Sequence, residues 1–257
     1  MQSTITVDKE KYIEEKMKKF RLVDMREQYA DIIAEAENEK IGYKDFLIRL
    51  LEVEDAGKTL RRTEMLVEKA VFDTTANLED IDYGFNHSLD KDKIEYLGQL
   101  HFMDEHENII IIGPPGVGKS MIATGIGRNA CAAGKKVLFV NAKELVDRLQ
   151  SEMAEGNLPT MLHRLNQIDL LIIDELSYIK MDREKESLFF QIIRQRYEKN
   201  SLIITTNLPM GRWDELFTGQ LAATAILDRL LHHCNVLSIT GESYRVKGSK
   251  LSVKNKK

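Results

Sequence analysis

The chain has 257 residues, of which 43% are hydrophobic and 30% charged, with 37 Lys and Arg against 41 Asp and Glu. That length suits one large domain or two unequal ones. The net charge of −4 excludes a uniformly basic, histone-like binder but leaves room for local basic patches. No apolar run is long enough to span a bilayer, and residues 1–15 lack the apolar stretch of a secretory signal. Two cysteines, Cys131 and Cys234, are too few and too far apart for a disulfide framework or a zinc site, so a reduced, cytoplasmic protein is expected.

In chain order, Asp8 is placed to cap a first helix running to Phe20. Leu22, Met25, Tyr29, Ile32, Ile33 and Ala36 then recur at three- and four-residue steps, the face-forming period of a helix. Gly42 interrupts this pattern. Beyond it Phe46, Leu47, Leu50, Leu51, Leu60, Met65 and Leu66 predict one or two further helices. Residues 1–73 are therefore expected to form a small all-α domain, marginal as an independent core. Turn formers crowd residues 74–89 (Asn77, Asp80, Asp82, Gly84, Asn86, Ser88), which predicts a linker. Asp90 is expected to cap a helix over residues 91–103.

From there the pattern changes. Apolar runs at 109–112, 137–140, 170–173 and 202–205 alternate with helical stretches at 119–133, 143–166 and 182–199. Short runs bounded by turn signals suit strands buried on both faces, and their alternation with helices predicts right-handed crossovers and a parallel, three-layer α/β domain over residues 74–257.

Five of the fifteen glycines fall between Gly113 and Gly127. Gly113, Pro114, Pro115, Gly116, Val117, Gly118, Lys119 and Ser120 match the full phosphate-loop pattern between a strand and a helix, with Met121 next. Glycines let successive N–H groups converge on phosphate oxygens, and the following helix adds its dipole. Lys119 would bring charge to the β- and γ-phosphates, and Ser120 a hydroxyl for Mg²⁺. The sequence thus specifies a nucleoside triphosphate site.

A second strand ends in Asp174 and Glu175, at the end of a parallel sheet where ligands bind. Asp174 suits a Mg²⁺ ligand, and Glu175 the base that polarises an attacking water. The next strand runs into Thr206 and Asn207, whose amide would hold that water or sense the γ-phosphate. This arrangement favours ATP hydrolysis over a small-molecule kinase, and the absence of an Asn-Lys-x-Asp signature disfavours GTP. Arg229, on an apolar helix, reads either as an arginine entering a neighbouring subunit's site or as the surface partner of Asp228. Ile81 and Tyr83 are candidates to cover the base.

Together these residues resemble the AAA+ superfamily. More narrowly they resemble the IstB-like ATPases that assist transposases of bacterial insertion sequences. The narrower resemblance rests on LIIDELSY from Leu171, SLIITTNLP from Ser201, AILDRLLHH from Ala225 and GESYR from Gly241. It implies an AAA+ P-loop sheet without a full helical lid, since only 28 residues follow Arg229. It further implies ATP and Mg²⁺ as cofactors, ATP-dependent self-association into a homo-oligomer, duplex DNA and a transposase as partners, and no membrane. By resemblance Lys119 and Ser120 contact nucleotide and metal, Asp174 and Glu175 form the second motif, Asn207 is a sensor and Arg229 acts in trans. A replicative helicase loader and an ATP-gated, non-hydrolysing DNA scaffold remain as alternatives.

Net acidity and DNA binding are compatible if positive charge is segregated. Residues 9–21 carry six basic side chains, including Lys16, Lys18, Lys19 and Arg21, against three acids. The tail from Arg245 carries six more, Lys247 among them, and no acid. Such patches would contact phosphates with little base readout, leaving DNA shape as the criterion of choice.

Overall fold

A computed structural model describes residues 8–178, 181–218 and 220–244. The chain divides into two compact units, Met1–Glu64 and Met65–Lys257.

In the first unit, Asp8 accepts the Lys11 N–H at 3.3 Å and starts α1 (Lys9–Lys19). Next come α2 (Val23–Glu39), which ends on a left-handed Lys40, and α3 (Tyr43–Ala70), a single 28-residue helix where one or two were expected. Met25, Ile32 and Leu50 make the small core, with Met17, Leu22, Tyr29, Phe46 and Val53 against it. Buried Glu54 accepts the Met25 N–H at 3.0 Å, one of the orphan donors that every helix start leaves. Arg61 pairs with Asp24 at 2.7 Å and holds that carboxyl below its ordinary range.

The second unit begins inside α3, because Leu66 and Ala70 belong to its core. This compact boundary falls earlier than residue 73, where the sequence pattern changes. The stretch expected as a linker (74–89) is likewise built in: Ile81 and Leu89 are core residues and Leu78 packs against them. Asp90 caps α4 as expected, but the helix ends at Gly98 (Lys91–Gly98) and resumes as α5 (His101–Asp104). Leu100, at φ 69°, makes the break. In an unbroken helix Phe102 would stand roughly 140° around from Leu97; the break lets both bury, at 2% and 1% exposure.

The remaining elements are β1 (Asn108–Ile112), α6 (Lys119–Ala132), β2 (Val137–Asn141), α7 (Ala142–Ala154), α8 (Leu158–Asn166), β3 (Leu170–Asp174), α9 (Arg183–Arg196), β4 (Ser201–Thr206), α10 (Gln220–Leu231) and β5 (Cys234–Ser238). All five strands are parallel, in the order β2-β3-β4-β1-β5. Alternate side chains go to opposite layers, as the pleat requires. Ile109, Ile111, Leu170 and Ile172 join one core with Ile122, Ile126 and Ile94. Ile110, Leu171, Ile173 and Ile204 join the other with Leu145, Leu149, Phe189 and Ile226. This is the expected three-layer α/β fold. The sequence pattern gave no sign of β5, an edge strand whose residues are mostly half-buried.

Candidate functional site: a phosphate loop facing paired carboxylates

The loop after β1 is shaped by contacts on both its sides. Gly113 runs so close to the Ile239 carbonyl that a Cβ would lie 2.4 Å from its oxygen. Gly116 and Gly118 take φ of +79° and +99°, which side-chain-bearing residues avoid. Between them Val117 is fully buried and pins the loop to the core, while Pro114 and Pro115 are exposed. The Lys119 ammonium donates to the Gly113 and Pro114 carbonyls at 2.8 Å each, so its charge is held against the loop. Pro115, Gly116, Gly118, Lys119, Ser120 and Met121 line a cleft of about 280 Å³ together with Glu175, Ser177, Thr206 and Asn207. Ser120 and Glu175 also line an adjoining hollow of about 480 Å³ with Asp174 and Asn141.

β3 delivers the carboxylates. The Ser120 hydroxyl lies 3.0 and 2.9 Å from the two Asp174 oxygens, close enough to donate to either. The buried Thr205 hydroxyl on β4 donates to Asp174 Oδ1 and accepts the Glu175 N–H at 3.0 Å. Glu175 sits at φ 61°, where the strand gives way to the following turn. Its Oε2 accepts from Asn141 Nδ2 at 3.2 Å, and Asn141 is the register partner of Asp174. Asn207 donates its backbone N–H to Ser177 Oγ at 3.2 Å. A hydroxyl beside a carboxylate that is only 6% exposed offers the hard oxygen donors Mg²⁺ prefers, so Ser120 and Asp174 fit that ion.

Beyond β5 the chain folds back over the loop. Asn86 Nδ2 donates to the Thr240 carbonyl at 2.8 Å, and the Thr240 N–H to Ser88 Oγ at 2.9 Å. The Tyr244 N–H donates to the Gly116 carbonyl at 2.9 Å and its hydroxyl to the Asp82 carbonyl at 2.7 Å. Its ring lies 3.8 Å from that of Phe85. Burial, helped by the Asp82 charge, raises the Tyr244 phenol and keeps the donor protonated. Tyr244, Asp73 and Thr74 line the cleft; of the residues expected to cover a base, Ile81 is a core residue and half-buried Tyr83 packs against that core, and neither lines the cleft.

The structure thus gathers the predicted loop, Glu175 and Asn207 around one cleft, with Asp174 in the adjoining hollow and within reach of Ser120. Arg229 is elsewhere. On α10 it donates to the Ala225 carbonyl at 2.9 Å, stacks 5.2 Å from the Phe190 ring, and shares a hollow with Asn108 and Leu202. Asn108 starts β1, whereas the phosphate loop follows its last residue, roughly 13 Å further along the strand. Lys18, Lys19 and Arg21 are exposed in the first unit, and Lys16 lies 5.1 Å from the Tyr12 ring. Arg245 and Lys247 lie outside the described residues. Sequence reasoning missed Thr205, Asn141 and Tyr244. GESYR, which contains Tyr244, marked family and not a position at the loop.

A five-stranded parallel sheet between helical layers, with a glycine-rich loop after β1 and paired acids at the end of β3, defines a P-loop protein of the AAA+ class. The match to the family described as IstB-like ATP binding protein runs over residues 15–252, and the chain belongs to that family. It is 39% identical over 216 residues to a protein of insertion sequence IS21 from Pseudomonas aeruginosa, covering 84% of this chain and 82% of that one. It is 36% identical over 245 residues to one of insertion sequence IS5376 from Geobacillus stearothermophilus, covering 95% and 98%. Among solved structures it resembles the replication initiator DnaA bound to AMPPCP and single-stranded DNA, with a TM-score of 0.57 at 18% identity over 72% of this chain and 56% of that one. These structural likenesses concern the fold. Among the described residues no helix is long and apolar enough to cross a membrane.

Proposed function

We propose that this protein is a Mg²⁺-dependent, ATP-hydrolysing transposition helper of the cytoplasm, which assembles as a homo-oligomer on duplex DNA, remodels it and recruits a transposase. The observation that carries the ATPase reading is the meeting of Ser120, Asp174 and Glu175 beside the phosphate loop. The insertion-sequence relatives support transposition over helicase loading.

In this reading the Gly116–Gly118 backbone and Lys119 bind the phosphates. Mg²⁺, held by Ser120 and Asp174, supplies charge neutralisation. Glu175, with one oxygen engaged by Asn141 and its backbone fixed by Thr205, orients the attacking water and takes its proton. Asn207 senses the terminal phosphate. Arg229, which lines a hollow apart from its own chain's loop, would complete the site of a neighbour. ATP then favours assembly because it binds best where two subunits meet. Residues 1–73 supply DNA and partner contacts through Lys16, Lys18, Lys19 and Arg21, and the tail adds Arg245 and Lys247. Contacts of this kind grip phosphates, so duplex shape decides where the assembly forms.

ATP turnover, measured with and without duplex, tests the chemistry. Glu175→Gln should retain nucleotide and lose turnover by roughly 10²-fold or more; unchanged turnover would remove Glu175 from its role. Arg229→Ala should be inactive alone and regain hydrolysis when mixed with Lys119→Ala, which lends an intact Arg229. Absence of complementation, or a particle that stays monomeric with a non-hydrolysable ATP analogue and DNA, would end the shared-site reading.

A further inference from the structure

We propose that the turn after α9 and the end of α10 hold a transition-metal dication of the zinc class, with Glu198, His232 and His233 as ligands. One ligand atom from each lies within 4.8 Å of the other two. His233 Nε2 stands 3.9 Å from Glu198 Oε1, and the two imidazoles meet edge to face at 4.1 Å. Two imidazoles and a carboxylate are a donor set zinc takes where one coordination position stays open, whereas Mg²⁺ asks for oxygen. Metal–ligand bonds of about 2.0–2.2 Å in tetrahedral array put donors roughly 3.3–3.5 Å apart. All three side chains are exposed, so rotation about their own bonds supplies the closure of about an ångström.

The surroundings prepare the site. α9 stops at Arg196, and Glu198 takes a left-handed φ of 55°, which brings the turn to the end of α10. Tyr197 Oη lies 2.9 Å from His232 Nδ1. With Nδ1–H donating to the phenol oxygen, Nε2 keeps its lone pair for a metal, an outer contact of the kind that fixes tautomer and ring orientation in metal sites. Tyr197 therefore braces one of the three ligands. Arg229, in the same hollow as Glu198 and His233, opposes a cation there. The open water side limits that repulsion. Cys234, next along the chain, is not among the three donors that lie together. The site thus needs no cysteine, and a count of cysteines passes over it.

The test is calorimetric titration of the untagged full chain with ZnCl₂ in excess Mg²⁺, which occupies hard-oxygen sites. One equivalent of zinc should bind. His232→Gln and His233→Gln should each weaken binding at least tenfold, and together abolish it. Tyr197→Phe, which touches no ligand position, should weaken it roughly 10-fold through His232. Co²⁺ should gain visible absorption with the wild type and none with the double variant. Circular dichroism verifies that the exposed substitutions leave the fold intact. The proposal is overturned if zinc does not bind the wild type, or if the double variant binds it equally well.

Discussion

Thr205→Val isolates what holds the two acids in place. The substitution keeps shape and removes one hydroxyl from a residue with no solvent exposure. That hydroxyl donates to the Asp174 carboxylate and accepts the Glu175 N–H at 3.0 Å. A hydrogen bond to a charged group is worth about 1.5–3 kcal/mol, and an ordinary one about 0.5–1.5. The Ser120 hydroxyl still serves Asp174, and half-exposed Glu175 recovers part of its loss from water. The expected destabilisation is therefore roughly 2–4 kcal/mol. For a unit of this size that lowers Tm by about 4–16 °C. Thr205→Ser keeps the hydroxyl and gives up only a methyl, about 1 kcal/mol. Turnover should fall more than about tenfold for valine, because Glu175 is no longer fixed, and stay within about threefold for serine. Thermal unfolding by circular dichroism and steady-state ATP hydrolysis measure both. A valine variant with wild-type Tm and turnover would refute the reasoning.

Further outcomes follow from other contacts. Gly116→Ala forces a side chain into φ +79° and puts its Cβ 2.1 Å from Ser243 Oγ; fluorescent-nucleotide titration should show at least a tenfold loss, roughly 1–2 kcal/mol of it conformational. Adding Ser243→Gly should return only the contact part, and full recovery would show that backbone strain is irrelevant. Burial pushes Cys131 up to about 11 and Cys234 up to about 12. At pH 8 roughly one in 10³ Cys131 thiols is ionised, so mass spectrometry should find buried Cys131 unalkylated until the chain is unfolded and half-buried Cys234 alkylated only slowly; rapid native labelling of Cys131 would contradict its burial. Replacing Lys16, Lys18, Lys19 and Arg21 by alanine should lessen the log–log salt slope of duplex binding by about 0.9 per lost phosphate contact, and an unchanged slope would remove them from the interface.

What the sequence displayed was whatever lies in one continuous stretch. The loop from Gly113 to Ser120 and the run into Asp174 carry their chemistry in order, and both were legible together with the strands that present them. Thr205 and Asn141 were not, because each belongs to a different strand and meets Asp174 or Glu175 only through sheet order and register. β5 escaped because a half-buried edge strand shows neither clean alternation nor a long apolar run. Leu100 looked like helix interior; its left-handed backbone is imposed by the need to bury Phe102 and Met103 together with Leu97. Arg229 was visible as a residue, but its distance from the loop became known only with the strand between them.

The fold of residues 240–244 over the loop turns two remote parts of the chain into a single lever. Tyr244 is bolted to Gly116 by a backbone bond and to Asp82 by its hydroxyl, while Thr240 is tied to Asn86 and Ser88. Widening the loop at Gly116 therefore drags Tyr244 along or ruptures its fastening, at about 1 kcal/mol per bond released. A pull applied at Tyr244 travels the same route in reverse, straight to the Gly116 peptide of the glycine-rich loop.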